Sequence, residues 1–171
     1  MAITEENPGY KWVGTRPIRP DGLEKVTGKA RFGADLVLPG MLYGKVVRSP
    51  HAHAHIVSID TSAAESMEGV KAVITGADFP DLAANGAHPS DIDVANNAIA
   101  RDKVLYEGHV VAAVAAITRE QAEAAAKAVA VTYEVLPHVL TVDEAMADNA
   151  PLLHEAMITK GLDPAPEEPS N

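Results

Sequence analysis

Residues 48–60, RSPHAHAHIVSID, and residues 69–78, GVKAVITGAD, frame the most regular part of the chain. Both segments contain the β-branched residues that are typical of strands. Between them, Ser62 and Glu65 have the three-residue spacing of a helix capping box. The sequence therefore predicts a strand, a short helix and a second strand. The predicted strands cover 42–47, 54–59 and 70–75, the first two as neighbours, and the helix stops at Gly69.

Three histidines, His51, His53 and His55, occupy alternate positions in the first segment. Alternate side chains of a strand point to the same face, so the three imidazoles are predicted to form a row. Imidazole binds zinc, copper and iron, and His51 and His53 with one distant ligand would suit a small metal-dependent hydrolase. We favour the other interpretation, a polar sheet face bonded to backbone or to a partner, because the remaining histidines are scattered. No metal ligand is assigned.

The rest of the chain is predicted to alternate strands with helices. A second capping box at Thr118–Gln121 follows the continuous apolar run 109–117, which suits a strand buried on both faces. The other predicted elements are a polar loop with weak helical turns over 76–97, in which Asp91 and Asp93 are solvated, a strand at 103–106, a helix from 118 to about 129, a strand at 129–135, and a helix at 145–148 capped by Thr141–Glu144. Together they predict an α+β fold, with a mixed β-sheet packed by short helices.

The charge distribution divides the chain. Residues 1–50 hold eight Lys/Arg against five Asp/Glu, whereas residues 51–171 hold six against nineteen. We predict an extended N-terminal arm over 1–40, a folded domain over 41–157 and an irregular C-terminal tail over 158–171. A basic arm suits docking on an acidic partner, and a solvated or self-packed arm is the alternative. The predicted partner-interface residues are Trp12, Arg16, Arg19, Lys25 and Arg48. For Arg48 a brace to backbone carbonyls is favoured over anion binding.

Composition excludes several classes of function. The net charge of −10 argues against nucleic acid as a partner. The absence of cysteine excludes disulfides, thiolate nucleophiles and cysteine-bound clusters on this chain. No apolar run reaches the ~18 residues of a membrane helix, so a cytoplasmic protein is expected. The sequence also lacks a nucleophile elbow, and Lys25–Gly28 resembles a phosphate loop without its preceding glycines and is predicted to be a turn. We therefore assign no catalytic and no cofactor-binding residue.

Several motifs nevertheless resemble one family in the order in which they occur. They are DGLEKVTGKARF (21–32), PGMLYG (39–44), RSPHAHA (48–54), EGHVVAAVA (107–115), VTYEVLP (131–137) and PLLHE (151–155). They resemble the start of the large subunit of the molybdenum hydroxylases, which include xanthine dehydrogenase, aldehyde oxidase, carbon monoxide dehydrogenase and 4-hydroxybenzoyl-CoA reductase. The resemblance covers roughly residues 13–157. It implies the α/β hammerhead domain of that subunit.

The resemblance also implies a reaction and a set of partners. Such enzymes hydroxylate an aldehyde or an N-heterocyclic or aromatic substrate with oxygen from water. Molybdopterin, iron–sulfur clusters and FAD are expected on partner chains, namely a molybdopterin-binding catalytic chain, an iron–sulfur subunit and an FAD subunit. The family's pterin-binding motifs and catalytic glutamate would follow Asn171, so none is carried over. We expect a non-catalytic hammerhead subunit or a fragment, with a split subunit slightly favoured. The alternative is a stand-alone ligand-binding or regulatory module that uses Arg48 and the histidine row.

Overall fold

The computed structural model describes residues 11–82 and 84–155, together with 158, 161, 163, 164 and 166–169. Parts of the predicted arm and of the predicted tail thus lie outside the described residues. The chain divides into two compact units, Met1–Pro39 and Gly40–Asn171. The longest helices of the described residues span ten residues, and none combines the length and hydropathy of a membrane-spanning segment.

The first unit contains two short helical segments in its described part. Helix α1 covers Gly22–Val26 and a 3-10 turn covers Gly33–Asp35. Thr27 ends α1, donating a hydrogen bond from its hydroxyl to the Leu23 carbonyl at 2.7 Å, and Gly28 follows with a φ of +71°. The turn predicted at Lys25–Gly28 is therefore only partly right, because Lys25 and Val26 belong to α1 and only Thr27 and Gly28 form a turn. No residue in the range 11–39 is buried, so this described segment has no core of its own.

The second unit is built, in its described residues, from two three-stranded antiparallel sheets and short helices. The strand orders are β1-β5-β3 and β4-β2-β6. The strands are β1 (Tyr43–Arg48), β2 (Ala54–Asp60), β3 (Val70–Thr75), β4 (Lys103–Val104), β5 (Val110–Ala116) and β6 (Ala130–Val135), and the helices are α2 (Ser62–Glu65), α3 (Pro89–Ala98), α4 (Arg119–Ala128) and α5 (Val142–Ala145). The predicted α+β fold class is confirmed.

The prediction of one mixed sheet, with β1 and β2 as neighbours, is wrong. Strand β1 pairs with β5, and β2 pairs with β4 and β6, always antiparallel. The turn between β1 and β2 explains the separation. Ser49 accepts a hydrogen bond from the backbone N–H of His51 on its side-chain oxygen, at 3.0 Å, and donates from its own N–H to the His109 carbonyl at 2.9 Å. The chain therefore leaves the first sheet at Ser49 and enters the second at Ala54.

Small residues form much of the core. One buried cluster joins α2 and α4 to β5 through Ala64, Ala112, Val114, Ala125 and Val129. A second cluster lies against the other sheet and contains Ala54, Ala100, Val104 and Val111. Val47, Ile59 and Val131 pack against both clusters, so the two sheets share one continuous core. Alanine at these positions lets helix and sheet backbones approach closely.

The helix starts were predicted with mixed success. The capping boxes at Thr118 and Thr141 are confirmed, since each threonine oxygen accepts from the backbone N–H three residues later. The box predicted at Ser62 and Glu65 is wrong, because no side-chain hydrogen bond caps the start of α2. Thr61 is the N-cap of α2, and the Ser62 hydroxyl instead donates to Asp60 at 2.6 Å. The last helix, predicted at 145–148, begins directly after its cap as α5.

The segment 76–97 is more regular than the loop with weak helical turns that the sequence predicted. It contains a 3-10 turn at Gly76–Asp78 and the ten-residue helix α3, on which Asp91 and Asp93 lie. Asparagine and aspartate have low helix propensity, which hid α3 in the sequence. Pro89 at its first position is the signal that could have found it, because proline is favoured at a helix start.

Candidate functional site

The predicted histidine row does not exist. Strand β2 begins at Ala54, so the alternation of faces does not extend back to His51 and His53. His53 is only 5 % exposed and its Nδ1 donates to the Pro137 carbonyl at 2.8 Å, whereas His55 is exposed. His51 is half-buried and meets the ring of Tyr133 edge-on, at 5.0 Å between centroids. The three imidazoles therefore occupy three different environments.

The metal-dependent hydrolase has no ligand set in the part of the chain that the structure describes. There, no group of three or more His, Cys, Asp or Glu side chains lies close enough to hold a metal ion. The second nitrogen of His53, Nε2, is buried and finds no hydrogen-bond partner among the described residues. One unpaired imidazole nitrogen is not a metal site, because zinc sites use three or four protein ligands.

Next to His53 lies a groove of about 570 Å³. Its lining combines apolar side chains, such as Leu105 and Leu140, with the polar side chains of Glu107, His138 and His154. The expectation that the cofactors are held by partner chains stays a prediction.

Arg48 acts as a brace. Its guanidinium donates to the Gly108 carbonyl at 2.7 Å, and the Gly108 N–H donates to the Ser49 carbonyl at 2.8 Å. These bonds tie the end of β1 to the turn before β5, at the point where a register shift occurs between Val47 and Arg48. The favoured interpretation of Arg48 is confirmed. Its role at a partner interface stays a prediction.

His109 is the polar residue that sequence reasoning missed. It is fully buried directly before β5; its Nε2 donates to the Asn96 carbonyl at 3.0 Å, and its Nδ1 accepts from the Leu105 N–H at 3.2 Å. The ring of Tyr106 stacks on it at 4.5 Å. Burial holds the pKa of His109 below its ordinary value, although hydrogen bonds to the Asn96 and Asn97 backbone oppose this shift. The neutral ring thus fastens α3 to the β4–β5 turn. Its position directly before the apolar run was the available signal.

The predicted arm residues differ in how their charges are compensated. Asp21 forms ion pairs with both Arg19, at 2.5 Å from Nε, and Lys25, at 2.7 Å from Nζ. Hydrogen bonds from Arg19, and then from Lys25, lower the pKa of the Asp21 carboxyl. Two of the predicted docking cations therefore share one carboxylate and together keep a net positive charge, and Arg16 lies exposed outside this cluster.

Apolar side chains are the more distinctive feature of the arm. Trp12 is 64 % exposed, with the Lys11 ammonium 5.1 Å from its ring centroid. The other large apolar residues exposed here are Val13, Ile18, Leu23, Val26, Phe32, Leu36, Val37 and Leu38. Isolated exposed apolar residues are ordinary, but a run of this length is typical of interaction surfaces.

Comparison with known proteins identifies the family. Residues 27–137 match the family model of the aldehyde oxidase and xanthine dehydrogenase a/b hammerhead domain. This chain belongs to that family. Its range contains the strands β1 to β6 and the helices α2 to α4, that is, both sheets of the second unit. The predicted resemblance to the molybdenum hydroxylase family and the predicted hammerhead fold are both confirmed.

Individual relatives agree with this assignment. The chain is 47% identical over 138 residues to a probable xanthine dehydrogenase subunit of Bacillus subtilis, covering 81% of this chain and 18% of that protein. It is 39% identical over 143 residues to the xanthine dehydrogenase molybdenum-binding subunit of Escherichia coli O157:H7, covering 80% and 19%. The CO dehydrogenase structure from Oligotropha carboxidovorans superposes with a TM-score of 0.66 at 38% identity, covering 81% of this chain and 17% of that one. The chain thus spans about a fifth of the length of each of these three proteins.

Proposed function

We propose that this hammerhead domain is a non-catalytic part of a molybdenum hydroxylase, either as a separate subunit or as a segment of a longer polypeptide. The proposal rests on one observation from the sequence comparison. About four-fifths of this chain matches only about one-fifth of a molybdenum-binding subunit. A domain of this size contributes surface and scaffold, and the larger remainder supplies the chemistry. The proposed boundaries are an arm over 1–40, the hammerhead domain over 41–157 and a tail over 158–171.

The proposed partners follow from the family. They are the molybdopterin-binding catalytic chain, an iron–sulfur subunit and an FAD subunit, which carry the cofactors between them. The proposed reaction is hydroxylation of an aldehyde or an N-heterocyclic or aromatic substrate, in the cytoplasm. The arm, through Trp12, Arg16, Arg19 and Lys25, and the brace residue Arg48 are the proposed contacts. The exposed apolar run of the arm supports this assignment, because burying it against a partner removes apolar surface from water.

The test is purification of the tagged chain from its native host. We expect molybdenum in equimolar amount with the tagged chain, measured by elemental analysis, and a molybdenum-binding polypeptide identified by mass spectrometry. The preparation should oxidise aldehydes or N-heterocycles, and the chain expressed alone should not. A native preparation without molybdenum would contradict the proposal, and so would turnover by the chain alone.

A further inference from the structure

The first sheet has one face that is covered and one that is not. The register places Val46, Ala113 and Ile74 side by side across β1, β5 and β3. The next row on the same face consists of Gly44, Ala115 and Ala72. We call these two rows, with Phe79 at their edge, the open face. Val46, Ile74 and Phe79 are all exposed, Ile74 at 39 %.

Both faces of the first sheet are apolar. The opposite face packs on α2 and α4 through Val47, Val73 and Val114. Of the two charged side chains of β1, Lys45 lies on that covered side, where its ammonium reaches Glu123 of α4 at 3.4 Å, and Arg48 donates to the Gly108 carbonyl at the end of the strand. An antiparallel sheet with one solvated face normally carries polar residues on it. Every side chain in the two rows of the open face is instead apolar.

The open face is also shaped by its surroundings. Together with helix α3 and the segment that follows β3, it forms a groove of about 470 Å³. The Arg101 guanidinium holds the wall of this groove by donating to the carbonyls of Phe79, at 2.8 Å, and Pro80, at 2.6 Å. Gly76 allows this wall to approach, since a Cβ there would lie 2.7 Å from the Ala100 carbonyl oxygen. These contacts hold this wall of the groove in place.

We propose that the open face is the surface on which the larger, molybdenum-binding part of the enzyme docks, through an uncharged apolar segment. The inference rests on the proposed function and adds where the partner sits. Two observations select this occupant. The matched segment is only about a fifth of the length of the relatives, so most of their chain lies outside this domain. The open face offers few large side chains, whereas a stable interface between two copies needs about 20 to 30 residues on each side. The open face therefore suits a larger partner that is also held by contacts elsewhere on the domain.

Thiol footprinting in the whole enzyme tests the assignment. The chain contains no cysteine, so Ile74→Cys places a single thiol on the open face. Val57→Cys is the matched control, because Val57 is also a β-branched strand residue, lies on β2 of the other sheet, and is 62 % exposed. Each variant is purified as the molybdenum-containing enzyme and labelled with a maleimide. Peptide mass spectrometry gives the rate at that position, relative to the rate in urea.

We expect labelling at position 74 to be at least about tenfold slower than at position 57, because the centre of an interface excludes solvent. Equal rates at the two positions in an enzyme that contains molybdenum would overturn the assignment of the open face alone. Equal protection at position 74 in the molybdenum-containing enzyme and in a preparation of this chain without the molybdenum polypeptide would show that this partner does not cause it, which also overturns the assignment. Failure to recover molybdenum with the unsubstituted chain would instead refute the proposed function.

Discussion

At the scale of single residues, the buried His109 shows how a polar group can organise the domain without taking part in chemistry. Its two ring nitrogens satisfy a carbonyl of α3 and an N–H of the β4–β5 turn at once. A buried polar group left without a hydrogen-bond partner costs about 1–3 kcal/mol. The His109 ring therefore stabilises the domain through its hydrogen bonds as well as through its packing. The position of His109 beside an apolar run marks it as a buried polar residue, but the sequence does not identify its two partners, because both are backbone groups brought together by the fold.

This arrangement predicts that the domain loses stability in mild acid. Burial keeps the pKa of His109 below its ordinary value, so the unfolded chain binds a proton that the folded state resists. The neutral His109 stabilises the folded state fully above the ordinary histidine pKa of about 6.5. This stabilisation is lost as the pH falls below that value towards the pKa of His109 in the folded state. Urea unfolding between pH 7.5 and 5.5 measures the effect. His109→Gln keeps a donor and an acceptor without titrating, and its stability should fall less steeply; identical pH profiles would refute the assignment.

Gly69 presents a second residue-scale prediction. Its φ is +84°, and a Cβ there would collide with the side chain of Gln121, whose oxygen accepts from the Thr118 N–H at 3.2 Å in the capping box of α4. Gly69→Ala therefore strains the backbone and disturbs the cap, and we expect it to destabilise the domain by about 2–4 kcal/mol. Gly108→Ala is the control, since Gly108 has a φ of +88° but no described atom within 4 Å of its Cβ position. Equal losses in urea unfolding would mean that the contact with Gln121 contributes nothing.

At the scale of elements, the sequence predicted several strands and helix starts but not which strands pair with each other. The apolar run of β5 and the boxes at Thr118 and Thr141 were predictable because their signal lies in neighbouring residues. The partition into two sheets depends on contacts between distant segments, such as β1 with β5, and no local pattern encodes it. The supposed histidine row failed for the same reason, since it assumed that β2 began earlier than the turn at Ser49 permits.

The two confirmed capping boxes allow a prediction at this scale. Both threonines accept the same hydrogen bond, but α4 buries Ala122 and Ala125 whereas α5 buries none of its residues. Thr118→Ala should therefore lower the free energy of unfolding by about 1 kcal/mol, as expected for the loss of an N-cap. Thr141→Ala should change it little, because α5 can fray without exposing the core. Chemical denaturation of both variants provides the measurement, and equal losses would show that α5 unfolds together with the core.

At the scale of the whole molecule, the chain combines a segment without a core with a domain that has a continuous one. Residues 11–39 expose nine large apolar side chains, while the second unit buries alanines and valines from both of its sheets. A segment without buried residues, such as 11–39, has few contacts that could resist local unfolding. Its apolar side chains are better explained by contacts in an assembly than by the stability of this chain.

Removal of residues 1–39 tests this division of roles. Since no residue in the range 11–39 is buried, we expect the shortened chain to keep the unfolding midpoint of the second unit, with a change below about 1 kcal/mol, as is usual for surface changes. Recovery of molybdenum with the tagged chain should fall strongly, because the exposed apolar run and its cations are lost. A variant with Trp12, Ile18 and Phe32 changed to serine is the control for length, since it retains every cation of the arm. If the shortened chain unfolds, the arm stabilises the domain after all; if both variants recover molybdenum normally, the arm is not a docking segment and the open face must hold the partner without it.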